Sequence, residues 1–294
     1  MSRVLVIGDV MTDVIVQPEG PIVQGSDRRA TIRSRPGGSG ANQAVWLGAM
    51  GAEVLFAARV GIADQPMYEN YFRGLGVIPA LGADNTLPSG VLVTLLDPDG
   101  ERSFLTDRGA NLHLCAEDLP PSLLDGVGMV MVSGYSFFAA TPRHAVQALL
   151  ADARSRGIGV AIDPASIGFL EEVGAAEFLR WTSGADWLFA NDSEAETLCG
   201  AVGFEPQMRL LGEHFRNVVI KRGRYGAALG GKDGLRLALP APVVPVVDST
   251  GAGDAFAAGF VAAHLGGAEP ADALARAIVA GAEAVQFLGG QPAA

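Results

Sequence analysis

Short, uninterrupted apolar runs recur along this chain, each bounded by turn residues, at 4–8, 54–60, 129–132, 160–163, 187–190 and 218–221. A strand with one face in water alternates in polarity. These runs do not, so both of their faces must be covered. Ala- and Leu-rich stretches of helical period separate several of them, as at 142–156 and 193–200, and two further helix candidates follow at 253–265 and 271–288. Buried strands alternating with helices predict an α/β fold, with a central mostly parallel sheet flanked by helices.

Two regions break this rhythm. Segments 12–16 and 30–35, then 90–96 and 101–106, alternate more in polarity, and the turn Asp97-Pro98-Asp99-Gly100 separates the last pair as a hairpin connection would. They predict a small β-sheet lid, inserted at roughly 12–35 and 89–107 into one domain spanning 1–294.

A net charge of −11 argues against nucleic-acid or anionic-membrane partners. Cys115 and Cys199 have neither disulfide nor metal spacing, and no apolar stretch approaches the roughly 20 residues of a membrane span. A cytoplasmic protein is the expectation.

The stretch "DSTGAGDAFAAGF", residues 248–260, carries the most chemistry. Gly251, Ala252 and Gly253 lead into a helix bearing Phe256 and Phe260, and Asp254 lies at its start. A helix N-terminus exposes unpaired N–H groups, and glycines let an anion approach them. Asp254 reads either as a capping residue or as a base, the helix dipole keeping it ionised beside a bound phosphate. Pairing a backbone anion cradle with a carboxylate favours the base, and with it phosphoryl transfer to a hydroxyl.

Upstream, "RPGGSGANQ" at 35–43 precedes a helix expected over 44–50, and Gly37, Gly38 and Asn42 suit a polyhydroxyl ligand. Asp13 leaves the first strand at its carboxyl end, where open α/β sheets bind ligands, although an isolated acid there reads equally as a solvated loop residue. Arg108 could meet an anion or simply face solvent. Asn191 and Glu194 open a helix with capping spacing. Lys221, Gly223 and Gly226 form either a hairpin or a nucleotide loop. "GAALGGKD" at 226–233 is a decoy, one residue short of a P-loop and followed by no helix, and no GxGxxG occurs.

Together these motifs resemble the ribokinase-like (PfkB-type) carbohydrate kinase family, from Gly8 to about Pro292. The resemblance implies ATP- and Mg²⁺-dependent phosphoryl transfer to a sugar or nucleoside hydroxyl, on a sheet-and-helix fold with a β lid. It implies Asp254 as base, with the backbone of Gly251, Ala252 and Gly253 as anion hole. Asp13, Gly37, Gly38, Asn42 and Arg108 would meet the acceptor, and Asn191, Lys221, Gly223 and Gly226 the nucleotide. Glu194 would hold Mg²⁺ through water, while Asp248 and Thr250 fall near a K⁺ site of some members. A homodimer through the lid is a further implication.

Ser39 stands where ribose kinases usually carry lysine, and "VSGYS" at 132–136 lacks their acidic residue, so ribose is not the expected acceptor. Tyr135, Phe137 and Phe138 could wall a larger sugar or stack on a nucleoside base. A sugar-phosphate kinase would need Arg33, Arg35 and Arg108 around the second phosphate. A catalytically silent binding protein is the reading from another class, and the intact cradle and carboxylate count against it.

Overall fold

A computed structural model describes residues 3–96 and 102–292. The strands in chain order are β1 (Arg3–Ile7), β2 (Met11–Pro18), β3 (Ala30–Gly37), β4 (Val54–Gly61), β5 (Val77–Asp84), β6 (Gly90–Leu96), β7 (Arg102–Asp107), β8 (Val127–Ser133), β9 (Gly159–Asp163), β10 (Trp187–Asn191), β11 (Asn217–Lys221), β12 (Ala227–Gly231) and β13 (Gly234–Leu239). The helices are α1 (Ser39–Ala49), α2 (Gln65–Gly74), α3 (Ala140–Ser155), α4 (Ile167–Val173), α5 (Ala175–Trp181), α6 (Asp192–Cys199), α7 (Phe204–Leu211), α8 (Ala252–Leu265) and α9 (Pro270–Ala284).

The large sheet has the order β13-β12-β11-β10-β9-β8-β1-β4-β5. It is parallel from β5 across to β11, and β12 and β13 add an antiparallel edge. Its strands read as continuous apolar runs because each alternates between two buried faces. On β1, Val4 and Val6 join the core under α1, α2, α8 and α9, while Leu5 and Ile7 join the core under α3 to α7. The six apolar runs all lie in strands of this sheet, and "GAALGGKD" is the β12–β13 hairpin.

The apolar run at 242–247 forms no strand, and Val243 and Val246 are exposed. Proline at 240, 242 and 245 removes the N–H donors a ladder would need. Helix α1 also begins at Ser39 rather than at 44, and α9 ends at Ala284, short of 288.

The second sheet is small, with the order β3-β2-β6-β7. Strand β2 pairs antiparallel with β3 and parallel with β6, Met11 facing Gly90, so the two insertions join into one unit. Strands β6 and β7 pair antiparallel as expected, and the turn Asp97-Pro98-Asp99-Gly100 lies outside the described residues. Among the described residues, no helix is long and apolar enough to cross a membrane.

Candidate active site

The carboxyl ends of the large sheet and one face of the small sheet enclose a cleft of about 1190 Å³. Asp9 follows β1, Tyr135 follows β8, and Asp163, Asn191 and Lys221 end β9, β10 and β11; all five line it. Ligand sites belong at this end because parallel strands deliver their last side chains there together.

Asp254 occupies the third position of α8, whose N-cap is Gly251 in the left-handed conformation (φ +73°). A β-carbon on Gly251 would also strike the Gly290 backbone, so the tight entry to α8 requires glycine twice over. No side chain caps this helix. Asp254 instead accepts hydrogen bonds from the N-terminus of α1: Ser39 Oγ at 2.7 Å and Gln43 Nε2 at 3.1 Å on Oδ1, and Asn42 Nδ2 at 3.1 Å on Oδ2. These bonds fix Asp254 from α1, while it remains the acidic residue in the first turn of α8.

The expectation that the helix dipole keeps this carboxylate ionised also needs correction. Burial foremost, with the Asp163 carboxylate second, pushes Asp254 up to about 7, against the lowering effect of Ser39, Asn42 and Lys221. Desolvation outweighs the dipole because removing a carboxylate from water costs several kcal/mol, against up to about 2 kcal/mol from a helix terminus.

Asp13 is 6% exposed, not a solvated loop acid. Burial raises it to about 7, with Arg35 opposing and Asp9 and Asp248 adding to the rise. Gly37 does not line the cleft; a β-carbon there would collide with the Asp13 carboxylate, so its bareness makes room for that acid. Gly38, Ser39, Asn42 and Arg108 line the cleft. Arg108 donates to Asp9 Oδ2 at 3.4 Å, with its guanidinium carbon 4.4 Å from the Tyr135 ring centre. Asp9 escaped sequence reasoning, yet it also accepts the Gly40 N–H at 3.1 Å and so anchors α1 to the end of β1. The signal was present: Asp9 follows the apolar strand β1 at its carboxyl end, the place expected for Asp13, which instead lies within β2 of the small sheet. Of the three aromatics near β8, Tyr135 faces the cleft and burial pushes its hydroxyl up to about 12. Phe137 is wholly buried core, and Phe138 stacks on Phe169.

Asn191 and Glu194 form the expected reciprocal cap: the Glu194 N–H donates to Asn191 Oδ1 and the Asn191 N–H to Glu194 Oε2, both at 2.8 Å. Glu194 nonetheless lines the cleft, and burial raises it above the ordinary carboxylate range. Lys221 donates to Asp163 Oδ2 at 2.8 Å; burial opposes its charge, but the Asp163 and Glu194 carboxylates outweigh that and raise it. Asp163 was not singled out from the sequence. Gly223 and Gly226 line the same wall at the β11–β12 turn, so that segment is at once a hairpin connection and a cleft wall. Beyond it, Val243, Val244, Val246, Ile278 and Val285 line an apolar slot of the cleft.

Thr250 lines the cleft, but Asp248 is buried behind it. Asp248 accepts the N–H groups of Thr250 (2.8 Å) and Gly289 (2.9 Å), and Arg35 Nη2 lies 3.9 Å from its Oδ2. A guanidinium therefore already stands beside the corner expected to suit K⁺.

The same fold occurs in known kinases. The chain superposes on a probable sugar kinase from Rhizobium etli CFN 42 with a TM-score of 0.89 at 22% identity, covering 100% of this chain and 96% of that one. It superposes on Arabidopsis thaliana ribokinase complexed with ribose and ATP with a TM-score of 0.82 at 24% identity, covering 99% and 96%. In sequence it is 33% identical to the bifunctional protein HldE of Pseudomonas savastanoi pv. phaseolicola, covering 98% of this chain but only 61% of that one. The model of the pfkB family carbohydrate kinases matches residues 1–294, and this chain belongs to that family.

Proposed function

We propose that this chain transfers the γ-phosphoryl group of ATP to a hydroxyl of a sugar, with Asp254 as general base and the backbone of Gly251, Ala252 and Gly253 as anion hole. The observation that carries this reading is the Asp254 carboxylate, fixed by three donors of α1 at the mouth of a helix N-terminus. The acceptor oxygen attacks phosphorus, its proton passes to Asp254, and the bond to the β-phosphate oxygen breaks to release ADP. Positioning and charge neutralisation supply most of the acceleration of such a loose transfer. Lys221 stands against the loop, a β-carbon on Gly253 falling 3.1 Å from its Nζ, and neutralises charge on the transferred group. The apolar slot beside Val243 and Val246 receives the base of the nucleotide.

Hard oxygen donors on this wall, Glu194 foremost, fit Mg²⁺ held through water, and Asn191 orders Glu194. Bound with ATP, Mg²⁺ supplies further charge neutralisation between the phosphates.

At the acceptor end, Asp13 Oδ1 and Asn42 Oδ1 are buried and lack a hydrogen-bond partner among the described residues. Two orphaned acceptors suit the hydroxyls of a polyol. A phosphorylated sugar is less well served, since Arg35 is committed to Asp248 and Leu288, and Arg108 to Asp9. Tyr135 and Phe104 line the same end and support a nucleoside acceptor as second reading. The deciding experiment is ADP release with ATP and Mg²⁺ across sugars, sugar phosphates and nucleosides. Silence across all three classes would return the chain to a non-catalytic binder.

Two further outcomes follow from the carboxylates. A base must be ionised to accept a proton, and Asp254 sits at about 7. The free enzyme's kcat/KM should therefore be flat above that pH and fall about tenfold per unit below it. A profile flat down to about pH 5.5 would exclude Asp254 as the base. Asp13→Asn should raise the acceptor KM roughly 10- to 100-fold, the loss of one charge-assisted hydrogen bond, and leave the ATP KM unchanged. Equal loss for both substrates would remove Asp13 from the acceptor site.

In this reading the whole chain works as one unit, the small sheet closing as a lid that excludes water. Val14, Val16, Val93 and Leu105 share the lid face opposite the cleft, and edge strands β3 and β7 carry unpaired ladder positions. An apolar face and open edges favour a homodimer through the lid.

A further inference from the structure

Arg35 ends the inner part of β3 and reaches away from the lid into the corner beneath the anion loop. Its Nη1 donates to the Leu288 carbonyl at 2.5 Å, and its Nη2 lies 3.9 Å from Asp248 Oδ2. Gly289, in the left-handed region at φ +98°, lies against the guanidinium so closely that a β-carbon there would collide with it. Gly290, next in line, packs on Gly251, and its carbonyl accepts the Trp46 indole N–H at 2.9 Å. Three separate segments thus converge on one positive charge: the lid strand β3, the 248–251 loop that opens α8, and the 288–290 segment after α9. A buried carboxylate and a backbone carbonyl are hard oxygen donors, the kind of ligands a hard metal cation takes. Here the charge is supplied covalently, from the lid.

We propose that Arg35 is a built-in cation for the anion loop, standing in place of a monovalent metal ion and tying the position of the lid to the loop that binds the transferred phosphoryl group. The inference rests on the phosphoryl-transfer reading for its catalytic consequence, but not for the site itself. Arg35 is a positioning residue: it acts through Asp248 and the backbone that Asp248 holds. Asp248 accepts from both Thr250 and Gly289, so loss of the guanidinium loosens the loop on one side and the 288–290 segment on the other. Asp13, paired with Arg35 across the β2–β3 ladder, feels the same charge, which ties the acceptor end to this corner.

The test compares KCl with choline chloride at equal ionic strength, on the intact chain and on Arg35→Ala and Arg35→Lys. Two readouts are taken: the melting temperature without substrates, and ADP release with an acceptor from the panel. For the native chain, both should be the same in the two salts within about twofold in rate. Arg35→Ala should melt lower and lose roughly 10²-fold in turnover, as a displaced anion loop would. It should also acquire a response that the native chain lacks, regaining stability and rate with K⁺ or with millimolar guanidinium. Arg35→Lys should lie between the two. A loss of packing alone would not respond to the identity of the cation. Strong K⁺ activation of the native chain, or near-native turnover of Arg35→Ala in choline, overturns the proposal. Should Arg35→Ala fail to fold, the native chain's salt comparison decides by itself. Should no acceptor be phosphorylated, the kinase reading falls, while the melting temperatures still report on the cation corner.

Discussion

Asp254→Asn should lose roughly 10²- to 10⁴-fold in turnover, the range that removal of a general base produces. The loss should appear equally in kcat and in kcat/KM, because the carboxylate acts on a proton that moves only in the transition state. Nucleotide affinity should hardly change, since the groups assigned to the nucleotide lie beyond the anion loop. The structure adds a second expectation that separates a base from a structural residue. Burial and Asp163 push Asp254 up to about 7, so its ionised form is disfavoured in the folded protein. Linkage then fixes the sign: at a pH above about 7 the native chain carries the cost of ionising this group, and a neutral asparagine does not. Asp254→Asn should therefore melt at the native temperature or slightly above it at alkaline pH. Loss of turnover with unchanged or higher melting temperature identifies a base. Loss of both would mean that the bonds from Ser39, Asn42 and Gln43 hold the site together and that catalysis fails with them.

Lys221→Met should have the second largest effect, and here turnover and stability fall together. The Lys221 and Asp163 side chains are 12% and 5% exposed and lie 2.8 Å apart, with buried Glu194 nearby. Deleting the cation leaves two carboxylates without a counter-charge, and breaking a buried pair from one side costs about 3–5 kcal/mol. Turnover should drop about 10²-fold or more, because the same ammonium stands against the loop at Gly253, where the proposed mechanism has it neutralise the transferred group. The double variant Lys221→Met with Asp163→Asn resolves the two effects. Removing the stranded charge should restore much of the melting temperature and little of the rate. Recovery of both would reduce Lys221 to a structural counter-ion.

How much of this was legible in advance follows from the range of each interaction. The strands, the glycine turn into α8, the hairpin behind the false P-loop and Asp254 itself are written in periodicity and turn chemistry over a few adjacent residues. Those signals act within one element, so a linear reading recovers them. The apolar run at 242–247 misleads for the same reason: its composition suits a strand, but Pro242 and Pro245 within it, Pro240 just before it and its place on the cleft decide against one.

What tertiary structure alone decided lies between residues distant in the chain. Ser39 and Gln43 reach Asp254 across 215 and 211 positions, and Arg35 reaches Leu288 across 253. No local pattern encodes such partners, which depend on where the sheet delivers the end of each strand. The charge state of Asp254 is of this kind. Residue type and helix position predicted an ionised carboxylate, whereas burial and the neighbouring Asp163 raise it to about 7. The sequence by itself determined the α/β fold, the glycine turn into α8 and the carboxylate at its edge. Folding alone decided what surrounds that carboxylate, and a buried charge is governed by its surroundings more than by its own chemistry.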